Sequence, residues 1–271
     1  MKALVLTFDK YRPFAMHMIL CYLELWPDCP FVFRIPYQSE SVKKEYETKF
    51  GDKVELIKSS SGIVDTMFAL SEDLEAEDWV YWCMDDRYLI KADIEKIQAI
   101  YNYINSLSAS EISGVAFASS PNCWDNKHKF GKSENICTTD GLQLLRRRDY
   151  LMIWYHQFLR VKVIKTFFGL FPRVMKQAKE MDYIKDKSHL PNNQKLYFLD
   201  HNIAIFGEST NRGHITLNSI ESFKKHRMPI PEEFPIIDKF LLKGTSTKID
   251  VYKYLLKQKI KQILGYDKKK F

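Results

Sequence analysis

The feature that most narrows the possible folds is the alternation in the first hundred or so residues. Short apolar runs take turns with longer amphipathic stretches. "KALVLTF" reads as a strand. "RPFAMHMILCYLELW" follows, with Phe14, Met18, Leu20 and Leu25 at roughly helical spacing and a stop at Pro27. Next come the strand "FVFRI", the polar helix "SVKKEYETKF", the strand "VELI", the helix "IVDTMFALSEDL" and the strand "WVYWCM". Strands separated by helices of this length form βαβ units, which build a parallel sheet with helices on its faces. In open sheets of this kind ligands bind beyond the carboxyl ends of the strands.

The later sequence continues the α/β theme less regularly. A helix "ADIEKIQAIYNYINSL" and a strand "GVAFASS" precede "PNCWDNKHKFGKSENICTT", a polar loop too long to be a simple connector. A strand "DGLQLLRRR", a helix from Asp149 and the alternating segment "KLYFLDHNIAIFGES" are expected next, before a Pro-rich stretch "RMPIPEEFPIID". The expected organisation is an α/β half over residues 1–118, a second half of the same domain over 119–235 and a basic helical tail over 236–271.

Composition excludes several classes. With 45% hydrophobic residues, 28% charged, 10 Gly and 10 Pro, the chain is neither fibrous nor disordered, and its length allows a core without covalent staples. Five cysteines with no C-x-x-C pair argue against a disulfide framework and a structural zinc site, and so for a reducing compartment. "MKALVLTFDK" is too short an apolar run for a signal peptide or a membrane span, so a cytoplasmic protein is expected. The net charge of +7 is concentrated in "FLRVKVIKTFFGLFPRVMKQAK" (158–179) and "KYLLKQKIKQILGYDKKKF" at the C-terminus. Such segments suit peripheral contact with an anionic membrane; the plainer reading is a solvated basic face over ordinary core. No nucleic-acid-binding signature accompanies the charge.

The sharpest local signal is "WVYWCMDDRYLI" (79–90), which ends a buried fourth strand on Asp85 and Asp86. Adjacent carboxylates repel each other and resist burial, so they require a cation, donors or water. Hard divalent ions such as Mg²⁺ or Mn²⁺ are content with a few carboxylates and the oxygens of a diphosphate. A solvated turn is the plainer account of two such residues. The position at a strand end in a βαβ series favours the cation.

"EDWVYWCMDDRYLI" resembles the acidic motif of GT-A glycosyltransferases, enzymes that use nucleotide sugars, and in particular bacterial transferases of surface polysaccharides; "GLQLLRRRDYL" resembles the strand and helix start that follow in them. The likeness covers roughly residues 1–155, and more weakly 180–230. It implies a GT-A-like fold, a Rossmann-like and mostly parallel sheet with helices on both faces plus a smaller C-terminal lobe. It also implies a divalent metal, a nucleotide-sugar donor and a glycan or lipid-linked glycan acceptor. By resemblance Asp86 is a metal ligand, Asp85 contacts the ribose or a metal-bound water, and Met84 stands where the family usually has an acid. "TFDKYR" resembles the base-recognition loop, with Thr7 and Asp9 toward the nucleoside and Arg12 toward a phosphate; Asp9 as a turn cap is the alternative. Asp65 contacts the nucleoside or caps its helix.

An inverting transfer needs a carboxylate to take the acceptor's proton. The related enzymes place it some way past the second motif, which selects Asp182 first, Glu180 second and Asp200 third. Arg212 and His214, flanking Gly213, offer a guanidinium to a diphosphate and an imidazole to the metal shell, or form an ordinary loop. Trp124, with Asn122, Asp125 and Asn126 beside it, suits stacking on an acceptor sugar, or burial. Two rivals stand beside this reading. A nucleotidyltransferase is disfavoured because "TFDKYRPF" contains no glycine for a phosphate loop. A non-catalytic nucleotide-sugar-binding module draws support from Met84.

Overall fold

The structure is a computed structural model and describes residues 1–108, 112–117, 135–138, 140–147, 149–150, 152–173, 178–185, 187–211 and 213–236. Strands β1 (Lys2–Leu6), β2 (Val32–Tyr37), β3 (Val54–Lys58) and β4 (Trp79–Met84) pair in parallel in the order β3-β2-β1-β4. The sheet continues through β9 (Gln157–Arg160), β6 (Gly114–Ala116), β10 (Leu196–Leu199), β8 (Gln143–Arg147) and β7 (Ile136–Cys137). Of these, β9 runs antiparallel to β4 and β6, β10 is parallel to β6, and β8 is antiparallel to β10. The expected α/β architecture, a mostly parallel sheet covered on both faces, is the one observed.

The alternation along each strand decides which face its side chains join. On β1 and β4, Ala3, Val5, Tyr81 and Cys83 enter one core, and Leu4, Leu6, Val80 and Trp82 enter the other. The first core is covered by α1 (Arg12–Leu25), α2 (Glu40–Phe50), α4 (Ile94–Ser106) and α7 (Leu217–Lys225). The second is covered by α3 (Ile63–Leu70) and α5 (Val161–Gly169), with Met181 of α6 (Ala178–Lys185). Helix α1 starts with Pro13 in its first turn, where a missing N–H costs nothing, and is buried on nearly all sides. Asp93 caps α4 by accepting from the Lys96 amide, and Ile97, Ile100 and Ile104 form its buried stripe.

After β4 the chain leaves the main sheet. β5 (Arg87–Ala92) pairs instead with β11 (Ala204–Glu208) in an antiparallel ribbon over α1. Gly207 is required there, because a Cβ would run into the Tyr88 ring across the ribbon. The hairpin β12 (Thr210–Asn211) and β13 (His214–Ile215) follows, and Thr216 then caps α7 through the Ser219 amide.

Two sequence expectations are corrected. No helix starts at Asp149, which forms a bridge to His189; turns at 152–155 lead straight into β9. The basic stretch from Phe158 does not begin as a solvated basic face or a membrane-contacting one, since β9 is a wholly buried central strand. Val161, Val163, Ile164, Phe167 and Phe168 of α5 also lie in the core, so the apolar side of this segment is spent on folding. The tail beyond residue 236 lies outside the described residues. Among the described residues no helix is long and apolar enough to cross a membrane.

Candidate functional site

Asp85 and Asp86 form the corner at which β4 becomes β5. The Asp85 amide extends the β1 ladder by donating to the Leu6 carbonyl (3.4 Å), which fixes the corner at the carboxyl edge of the sheet. On the other side of β4, pairing with β9 stops at Trp82 and Gln157. The His156 ring takes the place of the missing strand, with Nε2 3.0 Å from the Met84 amide and 2.9 Å from its carbonyl. That nitrogen accepts from the amide or donates to the carbonyl according to the tautomer. Its Nδ1 lies 2.7 Å from the Tyr22 hydroxyl, itself 2.7 Å from that of Tyr81. Burial pushes the His156 imidazole down to about 3, so a neutral ring props the strand end.

Asp85 is buried and Asp86 half-buried. Burial, and then the neighbouring Asp86 charge, push the Asp85 carboxyl well above the ordinary carboxylate range; the Thr7 hydroxyl acts in the opposite direction by hydrogen-bonding to it. Asp86 is also raised by burial, against the pull of Arg87 and with Glu208 reinforcing the rise. Arg87 is committed elsewhere, paired to Glu208 at 2.9 Å and lying over the Tyr155 ring at 4.5 Å. Among the described residues neither Asp85 nor Asp86 has an ion-pair partner. Two acids held together in low dielectric, with no ion-pair partner among the described residues, offer oxygens of the kind that could hold a hard cation.

The hairpin docks on this corner. The Ser209 amide donates to the Asp86 carbonyl at 2.6 Å, and the Thr210 hydroxyl lies 3.5 Å from the Asp86 carboxylate. The buried Ser209 hydroxyl has no partner among the described residues. Thus the polar segment Gly207–Thr216, separated from the acids by more than a hundred residues, meets them in space. His214 lies on β13, exposed, opposite Asn211. Tyr11 completes the surroundings, its phenol raised by burial and then by the charges of Asp85 and Asp86.

Other predicted residues reach the same edge without joining the acids. The Asp9 carboxylate accepts from the Gln38 amide (2.9 Å) and from the Ser39 amide and hydroxyl (2.8 and 2.7 Å). It therefore binds the turn after β1 to the turn after β2. Arg12 is paired with Glu45 at 2.9 Å and donates to the Asp9 carbonyl. Asp65 sits in the first turn of α3, 3.4 Å from Arg173. Asp182 accepts from the Trp154 indole at 2.7 Å and lies 3.5 Å from Lys185. Trp154, Tyr155 and His156 are consecutive: the first holds Asp182, the second underlies Arg87 and the third props Met84. This connects Asp182 to the acidic corner through one short segment. Asp200 lies beyond the end of β10, 2.6 Å from His201. Glu180 lies in α6, but its side chain, like Trp124 and Arg212, is outside the described residues.

Tyr11, Ser209, Thr210 and His156 were not singled out from sequence. Tyr11 lies inside "TFDKYR", and Ser209 and Thr210 lie just before Arg212 and His214, where nothing local marks them. A separate cavity of about 660 Å³ opens between Asn135, Arg146, Lys195 and Tyr197. It lies at the opposite, amino edge of β10, and among the described residues its lining carries Arg146 and Lys195 but no acid.

No protein-family model matches this chain, and no curated protein matches it. Similar solved structures include the galactosyltransferase LgtC in complex with donor and acceptor sugar analogues, at 11% identity over 73% of each chain with a TM-score of 0.40. S. aureus TarS 1-349 is similar at 12% identity, over 75% of this chain and 58% of that one, with a TM-score of 0.41. A 4-diphosphocytidyl-2C-methyl-D-erythritol synthase is similar at 14% identity, over 78% and 92%, with a TM-score of 0.38. Likeness at this level does not choose between chemistries.

Proposed function

We propose that the chain is a GT-A-type glycosyltransferase that moves a sugar from a nucleotide-diphosphate donor to a glycan acceptor. A lipid-linked glycan of a surface polysaccharide, met at the inner face of a membrane, is the acceptor that the resemblance suggests. The observation that carries the reading is the acidic corner, where Asp85 and Asp86 lie at the carboxyl edge of the sheet without an ion-pair partner among the described residues. A diphosphate repels such a corner unless a cation lies between them. The donor set fits a hard divalent ion, Mn²⁺ or Mg²⁺, held by Asp86 and Asp85 with donor oxygens or water; the Met84 thioether is too soft to contribute. His214, on the docked hairpin, is the protein nitrogen assigned to complete that shell. When bound, the metal stabilises the charge of the departing diphosphate.

The remaining roles belong to this chain's own side chains. Thr7 and Tyr11 border the acids and face the donor. Asp9 holds the turns after β1 and β2 together, so its part in base recognition is to shape the nucleoside's seat. Arg12 and Arg212 serve the phosphates, Asp65 the nucleoside and Trp124 the acceptor sugar. Asp182 is the proposed general base, with its carboxylate oriented by the Trp154 indole; Glu180 is the second choice.

The test is to screen nucleotide sugars for release of the nucleoside diphosphate, and then to compare Asp182→Asn with the parent on the donor found. The expected result is an unchanged donor KM and a fall in kcat of about 10²–10⁴, the range for loss of a positioned base. Retained kcat moves the base to Glu180 or Asp200. Release of pyrophosphate from a nucleoside triphosphate, with no reaction of any nucleotide sugar, selects nucleotidyl transfer instead.

A further inference from the structure

A second candidate metal centre lies away from the acidic corner, between α1 and the end of α7. His17 and Cys21 are one helical turn apart on α1, and His226 immediately follows α7. Cys21 Sγ is 3.5 Å from His17 Nε2 and 3.4 Å from His226 Nε2, and all three atoms lie within 4.8 Å of one another. Glu24, another turn along α1, places Oε2 3.2 Å from the same His226 nitrogen. A tetrahedral zinc ion with its usual bonds to nitrogen, oxygen and sulfur separates neighbouring ligand atoms by about 3.3–3.6 Å. The two sulfur–nitrogen separations and the Glu24–His226 one come within about 0.2 Å of that spacing, while Glu24 stands outside the cluster in which the other three ligand atoms lie within 4.8 Å of one another. We propose that His17, Cys21 and His226 bind one thiophilic divalent metal ion, zinc above all, with the Glu24 carboxylate swinging in from beside His226 as the fourth ligand.

Several further observations agree. His17 and Cys21 are buried, whereas His226 and Glu24 line a cavity of about 350 Å³ that reaches Cys21 and so supplies an entry path. The charges balance, because one thiolate and one carboxylate neutralise a divalent ion. Glu24 keeps its other oxygen on Lys225 at 2.5 Å, which orients the carboxylate. On binding, the Cys21 thiol gives its proton to solvent and its sulfur to the metal, while the imidazoles bind as neutral ligands. Ser222 is 2.7 Å from His17 Nε2 and competes with the ion for that lone pair, so its hydroxyl turns to the cavity that it also lines.

The backbone places His226 firmly. Arg227 adopts a left-handed φ of 54°, and its amide and that of Met228 return to the Lys224 and Phe223 carbonyls, each at 3.0 Å. This closes the end of α7 with a Schellman turn built on a non-glycine residue. The sequence expectation against structural zinc rested on the lack of a C-x-x-C pair. It overlooked a site whose ligands come from two helices some two hundred residues apart. A metal here would pin α7, and with it the hairpin that touches Asp86, onto α1.

The test uses the full reduced chain, stripped with chelator and titrated with Co²⁺ and then Zn²⁺. One equivalent of Co²⁺ is expected to produce a thiolate-to-cobalt charge-transfer band with the strong visible bands of a four-coordinate site, and one equivalent of Zn²⁺ to abolish both. Cys21→Ser should remove the charge-transfer band, and His226→Asn should weaken binding by about 100-fold or more. Ser222→Ala should bind at least as tightly as the parent, whereas a purely hydrogen-bonded cluster gains nothing from it. Asp86→Asn and Cys137→Ser should change nothing, which separates this site from the acidic corner and from the exposed thiol. No band at one equivalent with Cys21 shown to be reduced overturns the proposal, as does a band that survives Cys21→Ser. If Cys21→Ser does not fold, His226→Asn and Ser222→Ala decide: equal affinity in parent and His226→Asn overturns it.

Discussion

Asp86→Asn is expected to lower kcat for sugar transfer by about 10²–10³, the usual loss when one electrostatic element at a reacting centre is removed. The substitution is nearly isosteric. An amide oxygen still accepts from the Thr210 hydroxyl, and the backbone carbonyl still accepts from the Ser209 amide, so hairpin and corner stay docked. What is lost is half of the negative charge that would hold a cation against a diphosphate. Circular dichroism should match the parent's and the melting temperature should be no lower, while donor turnover and its metal dependence fall together. Unaltered turnover in a folded variant would remove Asp86 from the chemistry.

In chelator, Asp85→Asn should make the protein more stable at neutral pH, by about 1–3 kcal/mol, the range for relieving a buried uncompensated polar group. For a chain of this size that corresponds to about 2–4 °C per kcal/mol. The sign follows from linkage. Burial and the Asp86 charge raise the folded-state pKa of Asp85 above its unfolded value. A raised carboxyl favours the fold fully below the ordinary carboxylate range, and that contribution is lost as pH rises through the raised value. Metal-free parent therefore loses stability between acid and neutral pH, and the asparagine variant is spared this loss. The gap should close toward pH 4, and also at neutral pH when Mn²⁺ is added to the parent. A variant less stable than the parent at neutral pH in chelator would mean that the charge is already compensated. Stability gained at one acid of the pair and turnover lost at the other are what a preformed cation site entails.

The half of the fold built from βαβ units was legible because periodicity and turn residues agree there. The strand "WVYWCM", its place in a parallel sheet and the placement of Asp85 and Asp86 at its carboxyl end all followed from local pattern, whereas its pairing with β1 did not. The second half was less legible. β9 reads as the start of a basic helix, yet it is buried at the centre of the sheet because Arg160 spends its charge on the Ile112 and Glu77 carbonyls and the Trp79 ring. Arg34, inside an apolar strand, is equally buried, and its two terminal nitrogens are held by Asp73, Glu55 and the Leu70 carbonyl. Partners so distant along the chain leave no local trace. The same holds for His156, whose ring substitutes for a strand, and for Thr210, whose meeting with Asp86 depends on the β5–β11 ribbon. Asp9 stands where the resemblance puts base recognition, but its carboxylate is engaged by Gln38 and Ser39.

The central claim is that the acidic corner holds a cation that in turn holds a nucleoside diphosphate. Isothermal titration of the unaltered chain with uridine and guanosine diphosphates, in Mn²⁺ and in chelator, tests it most directly. The account predicts one diphosphate bound per chain in Mn²⁺, with affinity lost in chelator and lost equally in Asp86→Asn. Binding that is the same in Mn²⁺, in chelator and in Asp86→Asn would contradict it, as would the absence of binding by any nucleoside diphosphate in the presence of metal.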